Sequence, residues 1–263
     1  MTTTLQKLTA SILSINAIPK SSITAATNPP SDAAKSYTSQ PWLEKLVAQH
    51  KQELQDRREW IGIDWVSDSS ASTPAHEVRV LDYACGPGTV SEALLPYATS
   101  FIGIDVSDGM VAAYNARASA FDLPSTKTMR AIQGDLASSS PSPSTTEPDF
   151  YNFDLAVVGM SLHHFADPAL AAKRLVERLK PGTGVLLVTD LLPDFLPSSN
   201  APVNDPAIAM AKKTVAHNGF SEEEIESIFK AAGCVDVKVA VKEESMMMGK
   251  KEIKMFLARG RRE

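Results

Sequence analysis

The sequence has little cysteine, no long apolar run and no surplus of positive charge. Only Cys85 and Cys234 occur in 263 residues, far apart in the chain. That excludes a disulfide scaffold and suits a reducing compartment. No apolar run reaches the ~18 residues that a spanning helix needs, so no membrane partner and a cytoplasmic location are expected. The formal net charge is −5. Proteins that grip nucleic acid through its phosphates carry the opposite, basic footprint, so no nucleic-acid partner is expected. Residues 1–31 contain no Asp or Glu and are rich in Ser and Thr, with Leu5, Leu8, Ile12 and Ile15 at helical spacing. This is a weak import-peptide pattern, which would mean mitochondrial delivery. The segment also lacks Arg, which such peptides favour, so a flexible tail over 1–35 is the plainer expectation.

What is present is ample apolar content. Hydrophobic residues make up 43% of the chain, enough for the core of one large domain. A helix is expected from Pro41, with Leu43, Leu46, Val47 and Leu54 on one stripe. After a polar loop at 66–77, apolar runs of strand length alternate with helix patterns. The strands are expected at 78–84, 101–105, 127–135, 153–160 and 184–190. Helices are expected after the glycines at 86 and 88, from about Asp108, and from Pro168 through Leu179. Strand–helix alternation implies βαβ units and a parallel sheet covered on both faces. The end differs. Ser221 and Glu224 read as a capping box, with Phe220 and Ile225 as its hydrophobic staple. "VDVKVAV" and "EIKMFLA" then follow with too few residues between them for a crossover helix, so this pair should be antiparallel.

The segment "VLDYACGPGTVSEALL" carries the first chemical signal. Gly86 and Gly88 fill two positions of the phosphate-binding fingerprint G-x-G-x-x-G, but Ser91 fills the third. Asp82 ends the first strand and points to the crevice, where a carboxylate would repel a pyrophosphate and attract a cationic amino-acid moiety. Asp105 ends the second strand and can accept from a ribose diol. Asp135, just past the third strand, can accept from an adenine amino group while the Leu136 amide meets a ring nitrogen. Three acids at three successive strand ends suit a positively charged nucleoside, and S-adenosylmethionine is that ligand. A nicotinamide dehydrogenase is disfavoured by Ser91 and Asp82.

These segments, with "FIGIDVSDGMV", "GDLA", "FDLAVVGMSLHHFADP" and "LKPGTGVLLVTD", resemble the class I S-adenosylmethionine-dependent methyltransferases of the small-molecule type. The resemblance covers 78–190 and extends to near 258. It implies a Rossmann-like, doubly wound α/β fold with a seven-stranded sheet of order 3-2-1-4-5-7-6, strand 7 antiparallel. It implies methyl transfer from S-adenosylmethionine to a small molecule, with S-adenosylhomocysteine as product. Carried over by residue, Asp82, Ala84, Gly86 and Gly88 line the methionine and ribose part, and Asp105 holds the ribose. Val106 and Met110 lie beside the adenine, Asp135 and Leu136 read it, and Met160 and Ser161 lie on the sulfonium side. Tyr37 and Trp42 fall where relatives place a helix that closes over the cofactor, and Tyr37 is a candidate contact to the carboxylate end. The Ser/Pro-rich stretch 137–149 departs from the family pattern.

The domain plan is then a cap helix at 36–65, the cofactor core at 78–190, a substrate-side insert at 191–220, and the last helix with its hairpin at 221–258. His163, His164 and His217 are the candidates for a base; packing roles compete with that reading for each. Cys85 reads as a loop-packing residue. Met246, Met247 and Met248 are expected in the hairpin loop on the binding side, as rim or as packing. No metal-ligand spacing occurs, so no metal is expected. The chain is expected as a monomer or homodimer. A protein substrate, or cofactor binding without catalysis, are the alternatives to small-molecule transfer.

Overall fold

The computed structural model describes residues 41–66, 76–138, 145–196, 212–248 and 251–263; the tail at 1–35 and Tyr37 lie outside them. Seven strands form one sheet: β1 (Arg79–Tyr83), β2 (Ser100–Asp105), β3 (Thr128–Gln133), β4 (Leu155–Gly159), β5 (Val185–Leu191), β6 (Cys234–Val241) and β9 (Met255–Arg262). Their order is β3-β2-β1-β4-β5-β9-β6. The first five are parallel, and β9 runs antiparallel between β5 and β6. This is the expected doubly wound order, with β9 as the seventh strand of the sheet.

Strand alternation divides the core in two. Val80, Leu155, Val157, Val185 and Leu187 face α1 (Pro41–Asp56), α2 (Arg58–Ile61), α3 (Thr89–Leu94) and α4 (Asp108–Ala120) through Leu54, Ile61, Val90 and Tyr114. Leu81, Ala156, Val158, Leu186 and Val188 face α5 (Pro168–Val176) and α6 (Glu222–Ala231) through Leu175, Ile225 and Phe229. β4 and β5 are apolar on both faces because helices cover both. The chain writes its own helix starts. Ser107 caps α4 by accepting from the Met110 amide at 3.3 Å, and Asp167 caps α5 by accepting from the Leu170 amide at 2.9 Å. Both halves of the Ser221–Glu224 capping box are made, and Phe220 and Ile225 are buried together.

Three expectations are corrected. α5 stops at Val176 rather than running through Leu179; the Leu179 backbone instead bridges to Phe153. "EIKMFLA" is not one strand. Lys251–Ile253 forms β8, Met255 begins β9, and the Lys254 carbonyl between them turns aside to accept from the Leu192 amide at 2.9 Å. The three methionines are not loop: Met246–Met248 is a strand, β7, paired antiparallel with β8 in a separate two-stranded ribbon. Met246 and Met248 pack with Leu191, Phe195 and Met255, while Met247 is exposed.

Candidate active site

The carboxyl ends of β1 and β2 carry the first half of the site. From β1 the chain turns through Ala84, Gly86 and Gly88, all at positive φ (53°, 52° and 85°), before α3 begins. For Ala84 this left-handed backbone carries a Cβ penalty of about 1 kcal/mol, a strain of the kind that collects at ligand-binding turns. Gly88 has no room for more: a Cβ there would stand 2.9 Å from the Tyr114 ring. Around Gly86 a Cβ would meet nothing within 4 Å, so this part of the loop borders open space.

Asp82 is buried, 1% exposed. Its Oδ2 accepts from the Ser91 hydroxyl at 2.7 Å and the Ser91 amide at 3.2 Å, and Tyr114 Oη donates to Ser91 Oγ at 2.8 Å. The serine in the third fingerprint position thus orients the acid. Among the described residues Asp82 Oδ1 has no partner. Burial is the main force that raises the Asp82 pKa to about 7, with nearby Asp105 adding to it and the Ser91 bonds opposing. Asp105 is also buried, and burial raises its pKa against the pull of backbone amides. Its Oδ2 accepts from the Gly86 amide and its Oδ1 from the Ser107 amide, both at 2.9 Å. Each oxygen keeps a second lone pair. Val106 is half-buried, and Met110 is fully buried in the first turn of α4.

Asp135 and Leu136 are held by a residue that sequence reading overlooked. Tyr83 Oη donates to Asp135 Oδ1 at 3.0 Å and accepts from the Leu136 amide at 3.2 Å. Burial, with Asp135 beside it, pushes the phenol pKa up, so Tyr83 stays a donor. The Leu136 amide, expected to meet an adenine nitrogen, is directed at Tyr83 in this state. Only its position on an apolar strand, next to Asp82, could have flagged Tyr83.

The ends of β4 and β5 carry the second half. Met160 follows β4 at φ 54° and donates its amide to the Thr189 carbonyl at 2.8 Å. Ser161 Oγ donates to the Gly159 carbonyl at 3.1 Å. His163 lies in the short 3-10 turn Leu162–His164, its amide donating to Asp190 Oδ2 at 3.0 Å and its Nδ1 bonded to Asp190 Oδ1 at 2.7 Å. Asp190 is fully buried and also accepts from the Leu191 amide at 2.7 Å. Among the described residues nothing bonds to His163 Nε2. His164 Nδ1 meets the Thr214 carbonyl at 3.2 Å. A carbonyl only accepts, so this nitrogen carries the proton. Burial first, then the neighbouring His163, lowers the His164 pKa to about 3. His217 donates its amide to the His163 carbonyl at 3.0 Å, and its buried Nε2 has no partner among the described residues. The His163 and His164 rings therefore lie together, 4.2 Å between centroids, while the His217 ring packs against Phe220 and reaches His163 by its backbone. Of the three, only His163 is paired with a carboxylate.

The donor set fits the expected cofactor. A buried carboxylate oxygen with no partner, beside a loop that borders open space, is what an ammonium group would complete. Lone pairs on Asp105 remain for a diol. Cys85 is buried against the loop, its pKa raised well above the usual by burial. That holds it as an unreactive thiol.

A family model described as a methyltransferase domain matches residues 39–239. An uncharacterized methyltransferase of Schizosaccharomyces pombe is 33% identical over 173 residues, 64% of this chain and 57% of that protein. The chain thus spans little more than half the length of that curated relative. Solved structures share the fold at lower identity. YcgJ of Bacillus subtilis aligns at TM-score 0.53 and 17% identity over 82% of this chain and 99% of that one. Phosphoethanolamine N-methyltransferase 2 of Haemonchus contortus, in complex with S-adenosylmethionine, aligns at TM-score 0.54 and 14% identity over 80% and 52%. Magnesium protoporphyrin IX methyltransferase of Synechocystis, also with the cofactor bound, aligns at TM-score 0.52 and 15% identity over 88% and 90%.

Proposed function

The chain belongs to the methyltransferase-domain family, and from that premise we propose that it transfers a methyl group from S-adenosylmethionine to a small-molecule acceptor. The observation that carries the cofactor is Asp82 Oδ1, buried and unpartnered beside the glycine loop. The small-molecule part is supported by two structural neighbours whose names give phosphoethanolamine and a magnesium porphyrin as substrates. When bound, the cofactor would supply an electrophilic methyl on a sulfonium, with S-adenosylhomocysteine as the thioether leaving group when an acceptor atom takes the methyl carbon in line.

The protein's task is then to hold and orient. Asp82, ionised, pairs with the ammonium. Asp105 accepts the ribose hydroxyls in the lone pairs its amide partners leave free. Asp135 faces the adenine amino group, with Val106 and Met110 beside the ring. The Met160–Ser161 turn borders the sulfonium side. Fixing two reactants in line can supply on the order of 7–11 kcal/mol of the barrier at best. His163 is the base of choice for an acceptor that must lose a proton. With Nδ1–H donated to Asp190, Nε2 is left with its lone pair. His164 and His217 act as supports of that turn.

The test is incubation with methyl-deuterated S-adenosylmethionine and a metabolite fraction or a protein fraction. Label is expected in a low-mass product, with S-adenosylhomocysteine formed alongside. Label confined to protein would overturn the small-molecule reading.

A further inference from the structure

His50 belongs to no motif, yet it is buried, 4% exposed. It lies on the apolar stripe of α1, between Leu46 and Leu54. Its Nε2 is 2.8 Å from Thr189 Oγ1 on β5, a contact across 139 residues of chain. Its Cε1 stands where a Cβ on Gly159, the last residue of β4, would come within 3.3 Å. Burial lowers the His50 pKa to about 4, with Asp190 and Glu53 opposing. The imidazole is therefore neutral near pH 7 and shares one proton with the threonine hydroxyl.

Two walls of the cofactor site hang on this helix. On one side α1 grips α3, whose first turn follows the glycine loop: Lys51 Nζ donates to Glu92 at 2.6 Å and Gln55 Nε2 to the Ala93 carbonyl at 3.0 Å. On the other side His50 holds Thr189, and the Thr189 carbonyl holds the Met160 amide at 2.8 Å. Met160 sits in strained, left-handed backbone, a conformation that persists only when its surroundings impose it. The β1–β4 ladder, with Tyr83 opposite Val158, sets the glycine loop and the Met160 turn side by side, and α1 bonds to the elements behind both.

We propose that His50 is a positioning residue of the methyl-transfer site, which through Thr189 holds the Met160 turn in the orientation the site needs. This rests on the cofactor reading above. A histidine that merely fills space would be replaceable by an apolar side chain. A histidine that positions the turn must be replaced by another hydrogen-bonding group. The hydroxyl of Thr189 must matter equally, because it is the other half of the same bond.

The experiment is calorimetric titration with S-adenosylhomocysteine of the wild-type chain, His50→Leu, Thr189→Val and the double variant. His50→Gln and Thr189→Ser serve as rescue variants, and melting temperatures are recorded for all. His50→Leu and Thr189→Val are each expected to weaken binding about tenfold, the scale of one buried hydrogen bond. The double variant should be no weaker than either single one, because both remove the same bond. The rescue variants should stay within about twofold of wild type. Unchanged affinity in both His50→Leu and Thr189→Val, or losses that simply add, would overturn the proposal. So would loss of affinity in His50→Gln equal to that in His50→Leu. Failure of the wild-type chain to bind would instead bring down the cofactor reading, and this inference with it.

Discussion

Asp82, buried near the end of β1, would meet the cofactor's ammonium in the proposed site. Its pKa near 7 without ligand makes cofactor binding depend on pH. The ammonium selects the carboxylate, so binding expels the proton from whatever fraction still carries it. Affinity for S-adenosylmethionine should therefore rise with pH through about 7 and level off above, changing up to about tenfold per unit below. Titrations from about pH 6 to 8 check this, and Asp82→Asn should bind weakly with a flat profile. The same shift acts on the free protein. The folded pKa lies above the unfolded 3.8, so this group's contribution to stability is present in acid and is lost as pH rises through about 7. The bound ligand should accordingly raise the melting temperature more at alkaline than at acid pH. Asp105→Ala should weaken binding at least tenfold, since it removes charge-assisted acceptors at a buried site; unchanged affinity would contradict the ribose assignment. The placement of both acids near strand ends was legible because each closes an apolar run. The roles of Tyr83, Asp190 and His50 were not. They lie in contacts across 52, 27 and 139 residues, which no local pattern shows.

Elements position these residues, and their joints can be tested apart from the chemistry. Ser221→Ala removes the cap of α6 and should cost about 1 kcal/mol, seen as a lower melting temperature with unchanged cofactor affinity. Gly159→Ala is a different case. Its Cβ would run into Val90 Cγ2 and press on His50 Cε1, wedging α1 and α3 away from β4. That overpacking should cost about 1–3 kcal/mol, and unlike the cap variant it should also weaken cofactor binding. The α6 start was readable since capping box and staple are local chemistry. The division of "EIKMFLA" between β8 and β9 was not. Its alternation is continuous, and the break at Lys254 is imposed by the Leu192 amide from a distant segment. The β7–β8 ribbon was hidden for the same reason, as three consecutive methionines show no period.

At the scale of the molecule, the sheet order reverses between β1 and β4. Connections from β1 lead to helices on one face, and those from β4 to helices on the other. Ligands of doubly wound sheets bind in the crevice this reversal opens at the strands' carboxyl ends. Asp82 lies near the end of β1 and the Met160 turn follows β4, the two strands that flank the reversal. The sheet itself was legible from strand–helix alternation, because parallel strands buried on both faces leave long apolar runs. The packing of α1 against α3 and, through His50, against β5 was not, since the α1 stripe shows only that one face is buried and not which surface it meets. The central claim is that this crevice holds S-adenosylmethionine. Calorimetric titration of the wild-type chain with S-adenosylmethionine, S-adenosylhomocysteine and NADH tests it most directly. Saturable one-to-one binding of the first two, with no heat from NADH, is the predicted result; binding of NADH with neither of the others would contradict it.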